Sequence, residues 1–178
     1  MTVRRETCPY AAGYCEENVY VLARTRAEQQ IDGGEVVLIS NSTRSVALAC
    51  QSSGRSDEGL IVWDYHVIYL EHGLVYDLDS TLPFPVSSGA YAAQTFPVRL
   101  QGSLNRLAAR FSVLPAGDYL RVFSSDRTHM LDARGRYLRP PPSWPPIRHG
   151  RSGNTLFALV DGFHPSVRYH GDRFPETR

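Results

Sequence analysis

The chain has 178 residues, of which 42% are hydrophobic and 21% charged, values typical of a globular domain with its own core. Its 19 basic and 18 acidic residues give a formal net charge of +1, which leaves no electrostatic basis for binding nucleic acid or an acidic membrane surface. No apolar run is long enough to span a bilayer, and the N-terminus lacks the apolar stretch of a secretory signal. We therefore expect a single domain over residues 1–178 and a cytoplasmic location, extending to the nucleus in a eukaryote.

The cysteines Cys8, Cys15 and Cys50 are odd in number and form no C-x-x-C pair. This pattern predicts neither a disulfide framework nor a structural zinc site, so each thiol is either a small buried hydrophobe or a reagent. Every basic residue is an arginine. Codon usage rich in G and C, or avoidance of ubiquitination, would each produce this bias.

A helix is predicted from Cys15 to about Arg26, because the apolar residues there are spaced as one helical face. The β-rich runs predict strands at Glu35–Ser40, Val46–Gln51, Leu60–Glu71 and Leu74–Asp79. Short helices are predicted at Ser103–Phe111 and Gly117–Ser124, and the proline-rich segment Arg139–Ile147 is predicted to be an extended strap within the same domain. This order of elements indicates an α+β fold built on an antiparallel sheet packed by helices.

Two β-rich runs in the segment 60–79 predict a hairpin, since glycine readily supplies the positive φ of a tight turn. A two-residue turn at His72–Gly73 places His66 opposite Asp79 and diagonal to Asp77. A turn one residue earlier places His66 directly opposite Asp77. A three-residue turn would instead send His66 and Asp77 to opposite faces of the sheet.

In either two-residue register, His66 shares one strand face with Asp64, Asp77 and Asp79, because side chains alternate along a strand. The other face carries an apolar set that is expected to form a core layer: Trp63, Tyr65, Val67, Tyr69, Tyr76 and Leu78. A carboxylate that accepts the Nδ1 proton of a histidine fixes its tautomer and stabilises the imidazolium, which is half of a catalytic triad. The alternative is a solvated sheet face with an incidental His–Asp contact.

A nucleophile for such a triad is predicted at Cys15. Pro9 and Gly13 mark an irregular entry, and the acidic residues Glu16 and Glu17 suit the first turn of a helix. Unpaired amides and the helix dipole at this position favour the thiolate, provided that the neighbouring glutamates point away from the sulfur. The alternative for Cys15 alone is a buried cysteine at a helix start.

Five strings of this sequence resemble those of protein N-terminal glutamine amidohydrolases, a papain-like or transglutaminase-like family, in the family's order. They are Tyr14-Cys-Glu-Glu-Asn18, Val62-Trp-Asp-Tyr-His-Val67, Tyr76-Asp-Leu-Asp-Ser-Thr-Leu-Pro-Phe-Pro85, Ser124-Ser-Asp-Arg-Thr-His-Met130 and the run Pro140–Pro142. The resemblance covers about Cys8 to Val160. It is looser over Ser87–Gln101 and at the chain end.

The resemblance implies a Cys-His-Asp core with Cys15, His66 and Asp77 as catalytic residues. It further implies that the chain deamidates an N-terminal glutamine of peptides or proteins to glutamate through a cysteine thioester, without metal or cofactor, as in the N-degron pathway of eukaryotes. We expect a monomer that needs no partner other than its substrate.

Binding the free α-ammonium of the substrate requires a carboxylate. The candidates are Asp64, Asp79, Asp126 and Glu16. The polar string that contains Asp126 and His129 is expected to form a wall of the substrate cleft, or else a polar turn that ends a helix. Two other functions remain open at this point: a thiol hydrolase or transglutaminase-like enzyme acting on internal glutamine or peptide bonds, and a non-catalytic binding module in which Cys15 is merely buried.

Overall fold

The computed structural model describes residues 3–53, 59–96, 105–149 and 153–175. Its helices are α1 (Cys15–Glu28), α2 (Ser88–Thr95), α3 (Ala116–Val122) and α4 (Leu156–Val160). Its strands are β1 (Glu35–Ser40), β2 (Val46–Ala49), β3 (Leu60–Trp63), β4 (His66–Glu71), β5 (Leu74–Tyr76), β6 (Val86–Ser87), β7 (Arg110–Pro115) and β8 (Arg168–Gly171). Single 3₁₀ turns lie at Arg5–Thr7, Asn105–Leu107 and Thr128–Met130.

Within the described ranges, six strands form one sheet in the order β6-β5-β4-β1-β7-β8, and β2 pairs with β3 in a separate two-stranded sheet. All neighbouring strands of the larger sheet are antiparallel. Helix α1 packs against β4 and α3. The predicted α+β class, with an antiparallel sheet packed by helices, is therefore confirmed. Among these helices, none combines the length and the apolar character that crossing a bilayer requires.

The central strands bury both of their faces. In β1, Val36 and Leu38 belong to a core cluster shared with α1, whereas Val37 and Ile39 belong to a second cluster on the other side of the sheet. Strands covered on both faces have nearly continuous apolar sequences. The expectation of one apolar face and one polar face was wrong, because Ile68 and Leu70 share the strand face of His66 and pack in the second cluster.

The predicted strand Leu60–Glu71 is divided between two sheets. The chain breaks after Trp63, where the Asp64 carboxylate accepts the backbone N–H of Tyr65 at 3.0 Å, a local bond that competes with ladder pairing. The Asp64 carbonyl also accepts a hydrogen bond from Ser40 Oγ at 2.7 Å. Consequently Trp63 packs with the second cluster rather than in the predicted core layer beside Tyr65.

Other predicted boundaries also change. The strands at Val46–Gln51 and Leu74–Asp79 end earlier, at Ala49 and Tyr76. Among the described residues of the helix predicted at Ser103–Phe111, Asn105–Leu107 form a 3₁₀ turn. The prediction is wrong from Ala108 onward, because β7 begins at Arg110 and Phe111 packs in the second core cluster; the first two residues lie outside the described ranges. The helix predicted at Gly117–Ser124 is confirmed as α3.

The hairpin between β4 and β5 has the two-residue turn His72–Gly73, whose φ angles are 48° and 75°. Left-handed conformations at both central residues define a type I′ turn. The ladder pairs Tyr69 with Tyr76 and Leu70 with Val75, which confirms the register that places Asp77 diagonal to His66.

The proline-rich segment Arg139–Ile147 contains no helix or strand, as predicted, and it is tied to the first turn of α1. Arg127 donates two hydrogen bonds to the buried carboxylate of Glu17, at 2.8 and 2.7 Å. The indole N–H of Trp144 donates to the same carboxylate at 2.8 Å, and Arg127 donates to the Trp144 carbonyl at 2.8 Å. This buried ion pair thus joins the strap to the helix that carries Cys15.

We predict that Arg127→Met lowers the free energy of unfolding by about 3–5 kcal/mol, because it leaves the Glu17 carboxylate buried without its cation. The matched control is Arg136→Met, which breaks an exposed ion pair with Asp132 and should leave the free energy of unfolding nearly unchanged, because solvent screens the pair. Urea unfolding followed by circular dichroism measures both. Equal losses in the two variants would contradict a structural role for the buried pair.

Candidate active site

Cys15 is the first residue of α1, as predicted, and is 9% exposed. The entry loop is clamped by Asn18, whose side chain accepts the backbone N–H of Ala11 and donates to its carbonyl, both at 2.9 Å. Gly13 provides a φ of +83° immediately before the helix. The loop and helix together fix the sulfur against the first residues of β4.

His66 is the first residue of β4 and is 1% exposed. Its Nε2 atom lies 3.0 Å from Asp77 Oδ1. The expectation that the carboxylate would hold Nδ1 was therefore wrong; because Nε2 faces Asp77, Nδ1 is the nitrogen left for another partner. The ring of Trp63 stacks on the imidazole with centroids 6.3 Å apart and an interplanar angle of 16°, and it covers this pair from one side.

The Asp77 carboxylate is fully engaged. Its Oδ1 also accepts the backbone N–H of Asp79 at 3.0 Å, and its Oδ2 accepts the Tyr91 hydroxyl at 2.8 Å and Gln51 Nε2 at 3.2 Å. Burial alone would raise the pKa of Asp77, but the charge of His66 and these hydrogen bonds outweigh it and lower the pKa. Asp77 is therefore held as a carboxylate beside the imidazole.

Asp79 has a different environment from Asp77. It is buried, and its Oδ1 accepts the Tyr10 hydroxyl at 2.6 Å. Burial raises its pKa, and the charge of Asp77 adds to this, against the opposing effect of His66. Of these two carboxylates, Asp77 is the one that hydrogen-bonds His66. Hairpin geometry alone had left Asp77 and Asp79 as alternative partners of the imidazole.

The charge of Asp77 governs the protonation of His66. Burial lowers the pKa of His66, but the negative charge of Asp77 and its hydrogen bond, followed by the charges of Asp79 and Glu16, raise it above the ordinary imidazole value. The imidazole is thus a better proton acceptor than an isolated histidine in the same buried position would be.

A cavity of about 240 Å³ brings Cys15 and His66 together with three of the predicted site residues, Asp64, Asp79 and His129. Its remaining walls come from the α1 entry, the β3–β4 connection and the loop before the strap: Gly13, Trp63, Tyr65, Met130, Leu138 and Arg139. Neither Glu16 nor Asp126 lines it. A larger cavity of about 970 Å³ lies between the end of α1 and β8, but its lining has no cysteine.

Glu16 lies beneath this cavity and is fully buried. Its Oε2 accepts the Tyr65 hydroxyl at 3.1 Å and the Cys15 thiol at 3.6 Å, and its Oε1 lies 3.3 Å from His129 Nε2. The expectation that both neighbouring glutamates point away from the sulfur holds for Glu17 but is wrong for Glu16. The packing of α1 against Tyr65 turns the Glu16 side chain toward the sulfur.

The polar string around His129 forms a cleft wall only in part. His129 lines the cavity, whereas Asp126 accepts the backbone N–H and the hydroxyl of Thr128 at 3.0 and 2.7 Å. The backbone bond from Thr128 is the largest of the effects that lower the pKa of Asp126. Asp126 thus shapes the turn that holds His129 and does not line the cavity: of the two alternatives for this string, the cleft wall describes His129 and the polar turn describes Asp126.

Cys15 does not have the acidic thiol that its helix-start position predicts. Burial raises the pKa of the thiol well above its ordinary value, and the charges of Glu16 and Asp79 raise it further, against one backbone hydrogen bond from Val67. The other cysteines lie elsewhere: Cys8 Sγ contacts the Arg4 carbonyl and Cys50 Sγ contacts the Gln94 carbonyl. Neither of them lines the cavity that contains His66.

His66, Asp77 and Asp79 offer ligand atoms within 4.8 Å of one another, a spacing that could hold a metal ion. Each Asp77 oxygen, however, already accepts two hydrogen bonds, so a cation would have to displace protein donors. The arrangement of these three side chains therefore fits a hydrogen-bonded imidazole better than a metal centre.

Several residues that support the site were missed at the sequence level. Gln51, Tyr91 and Tyr10 reach Asp77 and Asp79 from distant segments, and no local pattern signals such contacts. Tyr65 was placed in the core layer, which is right for its ring, but its hydroxyl reaches Glu16. Its position next to His66 was the available signal.

An N-terminal glutamine amidase family model matches residues 10–173, and the chain belongs to this family of amide hydrolases. A protein N-terminal glutamine amidohydrolase of Drosophila mojavensis is 43% identical over 151 residues, covering 79% of this chain and 72% of the fly protein. Proteins of the same name from Drosophila ananassae and Drosophila melanogaster are each 42% identical over 165 residues, covering 86% of this chain and 77% of each relative. The resemblance inferred from the five sequence strings is thereby confirmed.

We predict that Asp77→Asn lowers the pKa of His66 below the ordinary imidazole value, because burial then acts without the opposing charge and hydrogen bond. Asp79→Asn should lower it less, since Asp79 acts on His66 through charge alone. NMR titration of the imidazole in the three proteins measures both effects. A larger decrease in Asp79→Asn than in Asp77→Asn would contradict the assignment of Asp77 as the partner of His66.

Proposed function

We propose that this chain hydrolyses the side-chain amide of an N-terminal glutamine on peptides or proteins, giving glutamate and ammonia, with Cys15 as nucleophile and a papain-like Cys-His-Asp core. The observation that carries this proposal is the small cavity in which Cys15 meets an imidazole held by a buried carboxylate, in a chain of the N-terminal glutamine amidase family.

The orientation of His66 supports a triad. Nε2 donates to Asp77, so Nδ1 is free to accept a proton from the thiol of Cys15, which lines the same cavity. Asp77 fixes the tautomer and stabilises the imidazolium formed in the reaction. His66 and Asp77 are 1% and 3% exposed, so water is kept from the pair, which strengthens the interaction between the two groups.

The reaction proceeds in two halves. Cys15 Sγ attacks the side-chain carbonyl carbon while the thiol proton passes to His66, and the carbonyl oxygen becomes an oxyanion. The C–N bond then breaks as His66 returns the proton to the leaving nitrogen, so ammonia departs and a γ-glutamyl thioester remains. Water attacks the thioester, His66 takes a proton from it, and C–S cleavage with return of that proton restores the thiol and releases glutamate.

The oxyanion requires hydrogen-bond donors near the sulfur. Cys15 is the first residue of α1, and the first backbone N–H groups of a helix have no partner within the helix. We propose the Cys15 backbone N–H as one such donor.

Asp79 is the best-placed of the four carboxylates to bind the substrate α-ammonium. It is buried and lines the cavity, and within the described ranges no arginine forms an ion pair with it. Asp64 lines the cavity but is exposed, with one oxygen bound to the Tyr65 backbone. A cation beside Asp79 would relieve the cost of burying this carboxylate.

This arrangement also accounts for a preference for glutamine over asparagine. If the ammonium is fixed at Asp79, the shorter side chain of asparagine cannot bring its carbonyl carbon to the sulfur in the same pose. Rejection of asparagine therefore comes from reach to the nucleophile more than from affinity.

We predict that ammonia is released from a peptide with a free N-terminal glutamine, and at least about 10²-fold more slowly from its acetylated, internal-glutamine and N-terminal asparagine versions. The acetylated and internal-glutamine peptides have no ammonium at the reacting residue, and the asparagine side chain is too short to reach the sulfur. A coupled ammonia assay with the four matched peptides measures this. Equal rates with the acetylated or internal-glutamine peptide would instead indicate a thiol hydrolase or transglutaminase-like enzyme that acts on internal glutamine.

We predict that Cys15→Ala abolishes ammonia release, and that Asp77→Asn lowers kcat on the order of 10²–10⁴-fold by removing the group that orients His66. Asp79→Asn should chiefly raise KM for the free N-terminal peptide. The kcat and KM values of the variants, each checked for folding by circular dichroism, distinguish these effects. If Cys15→Ala retains activity, or if Asp79→Asn lowers kcat more than Asp77→Asn does, these assignments are wrong.

A further inference from the structure

We infer that Glu16 makes the nucleophile conditional on the charge of its own substrate: its buried carboxylate holds Cys15 as the thiol until the ammonium of a free N-terminus enters the cavity. This inference rests on the proposed function, because it takes the entering group to be an N-terminal amine. It assigns Glu16 a positioning role that acts through Cys15, and no direct contact with the substrate is required.

The first support is the fixed position of the carboxylate. Glu16 Oε2 lies 3.6 Å from Cys15 Sγ and accepts the Tyr65 hydroxyl at 3.1 Å. The Tyr119 hydroxyl holds the Glu16 backbone carbonyl at 3.0 Å. The side chain is fully buried, so the charge is neither screened by solvent nor free to turn away from the sulfur.

The hydrogen bonds of His129 run to partners other than Glu16, which is the second support. Asn154 Oδ1 accepts the Leu156 backbone N–H at 2.9 Å, so its Nδ2 is the atom that faces His129 Nδ1, at 3.4 Å. Nδ1 is therefore an acceptor, and Nε2 lies within hydrogen-bonding distance of the Tyr65 hydroxyl, at 3.3 Å. Glu16 Oε1 lies 3.3 Å from Nε2 but has no hydrogen-bond partner among the described residues, so no donor is bonded to this half of the carboxylate.

The third support is the balance of charges around the sulfur. Glu16 comes from α1, Asp77 and Asp79 follow β5, and His66 is the first residue of β4. The side chains of Asp64, Tyr65 and His129 line the same cavity. Asp77 is hydrogen-bonded to His66, and its charge raises the pKa of the thiol less than the charges of Glu16 and Asp79 do. The one arginine of the cavity wall, Arg139, is exposed and packs its stem beside Gly13.

An ammonium in the cavity would change this balance. Burial and the charges of Glu16 and Asp79 raise the pKa of the Cys15 thiol, so the proton stays on sulfur although His66 is a good acceptor. A cation bound at Asp79 offsets one of the negative charges that raise the pKa of the thiol and so favours the thiolate. Loss of the free amine from the substrate should then lower kcat as well as raise KM. In the enzyme without substrate, side reactions of the Cys15 thiol with other electrophiles are suppressed.

The test measures alkylation of Cys15 by iodoacetamide as a function of pH, which requires no glutamine substrate. In Glu16→Gln, a nearly isosteric change, the pH midpoint should fall and the alkylation rate at neutral pH should rise at least about tenfold, because one buried charge beside the sulfur is lost. Asp64→Asn is the matched control: it removes a carboxylate from the same cavity without contact to the sulfur, and its alkylation midpoint should stay unchanged. An unchanged or higher midpoint in Glu16→Gln would overturn the inference.

A second arm uses the wild-type protein and so does not depend on a variant that folds. Methylammonium chloride should lower the alkylation midpoint relative to potassium chloride at equal ionic strength, and this effect should be smaller in Asp79→Asn. No difference between the two salts would also overturn the inference.

A third arm compares turnover of free and acetylated N-terminal glutamine peptides. In Glu16→Gln, the ratio of kcat for the free peptide to kcat for the acetylated peptide should be smaller than in the wild type. An unchanged ratio would overturn the inference. If alkylation responds as expected but no glutamine peptide releases ammonia, the proposed function fails while the control of the thiol by Glu16 stands.

Discussion

The hydrogen bond between His66 Nε2 and Asp77 Oδ1 is the interaction on which the rest of the site depends. Both groups are almost inaccessible to solvent, so neither charge could persist there without the other. Tyr91, Gln51 and the chain turn at Asp79 complete the shell of the carboxylate. This shell fixes which nitrogen of the imidazole faces Asp77, and hence which nitrogen is available to the thiol.

The sulfur lies in an acidic environment rather than at a simple helix terminus. The helix dipole and the backbone N–H of Val67 favour the thiolate, but burial and the carboxylates Glu16 and Asp79 oppose it and prevail. An acidic cavity suits a substrate that carries a positive charge close to the reacting amide. In the proposed reaction, the electrostatics that would bind an N-terminal amine would also control the ionisation of the Cys15 thiol.

The sequence predicts the local features that depend on short-range physics. The hairpin after β4, the start of α1 at Cys15 and the α+β class follow from turn chemistry, helix-entry residues and periodicity. The sequence left two positions open for the hairpin turn, and the structure has the one at His72–Gly73. Burial depends on contacts between distant segments, and these are not encoded in periodicity. For this reason the sequence did not indicate that Ile68 and Leu70 are covered, or that the chain divides at Asp64 into two sheets.

For the site, alternation along the hairpin brought His66 near two aspartates but could not choose between them. The choice came from resemblance to the family and agrees with the observed hydrogen bond to Asp77. The side-chain direction of Glu16 could not be predicted, because Tyr65 and His129 hold it from other parts of the chain. The expectation that the Cys15 thiol has a lowered pKa was wrong for the same reason, because it depended on the direction of the Glu16 side chain.

Cys15 is proposed to carry the acyl intermediate. Rapid acid quench of the wild-type enzyme during turnover of a peptide with N-terminal glutamine, followed by proteolysis and mass spectrometry, tests this most directly. We predict a fragment containing Cys15 that is heavier by the peptide minus ammonia and is absent in Cys15→Ala. An adduct on Cys8 or Cys50, or turnover that persists in Cys15→Ala, would contradict it.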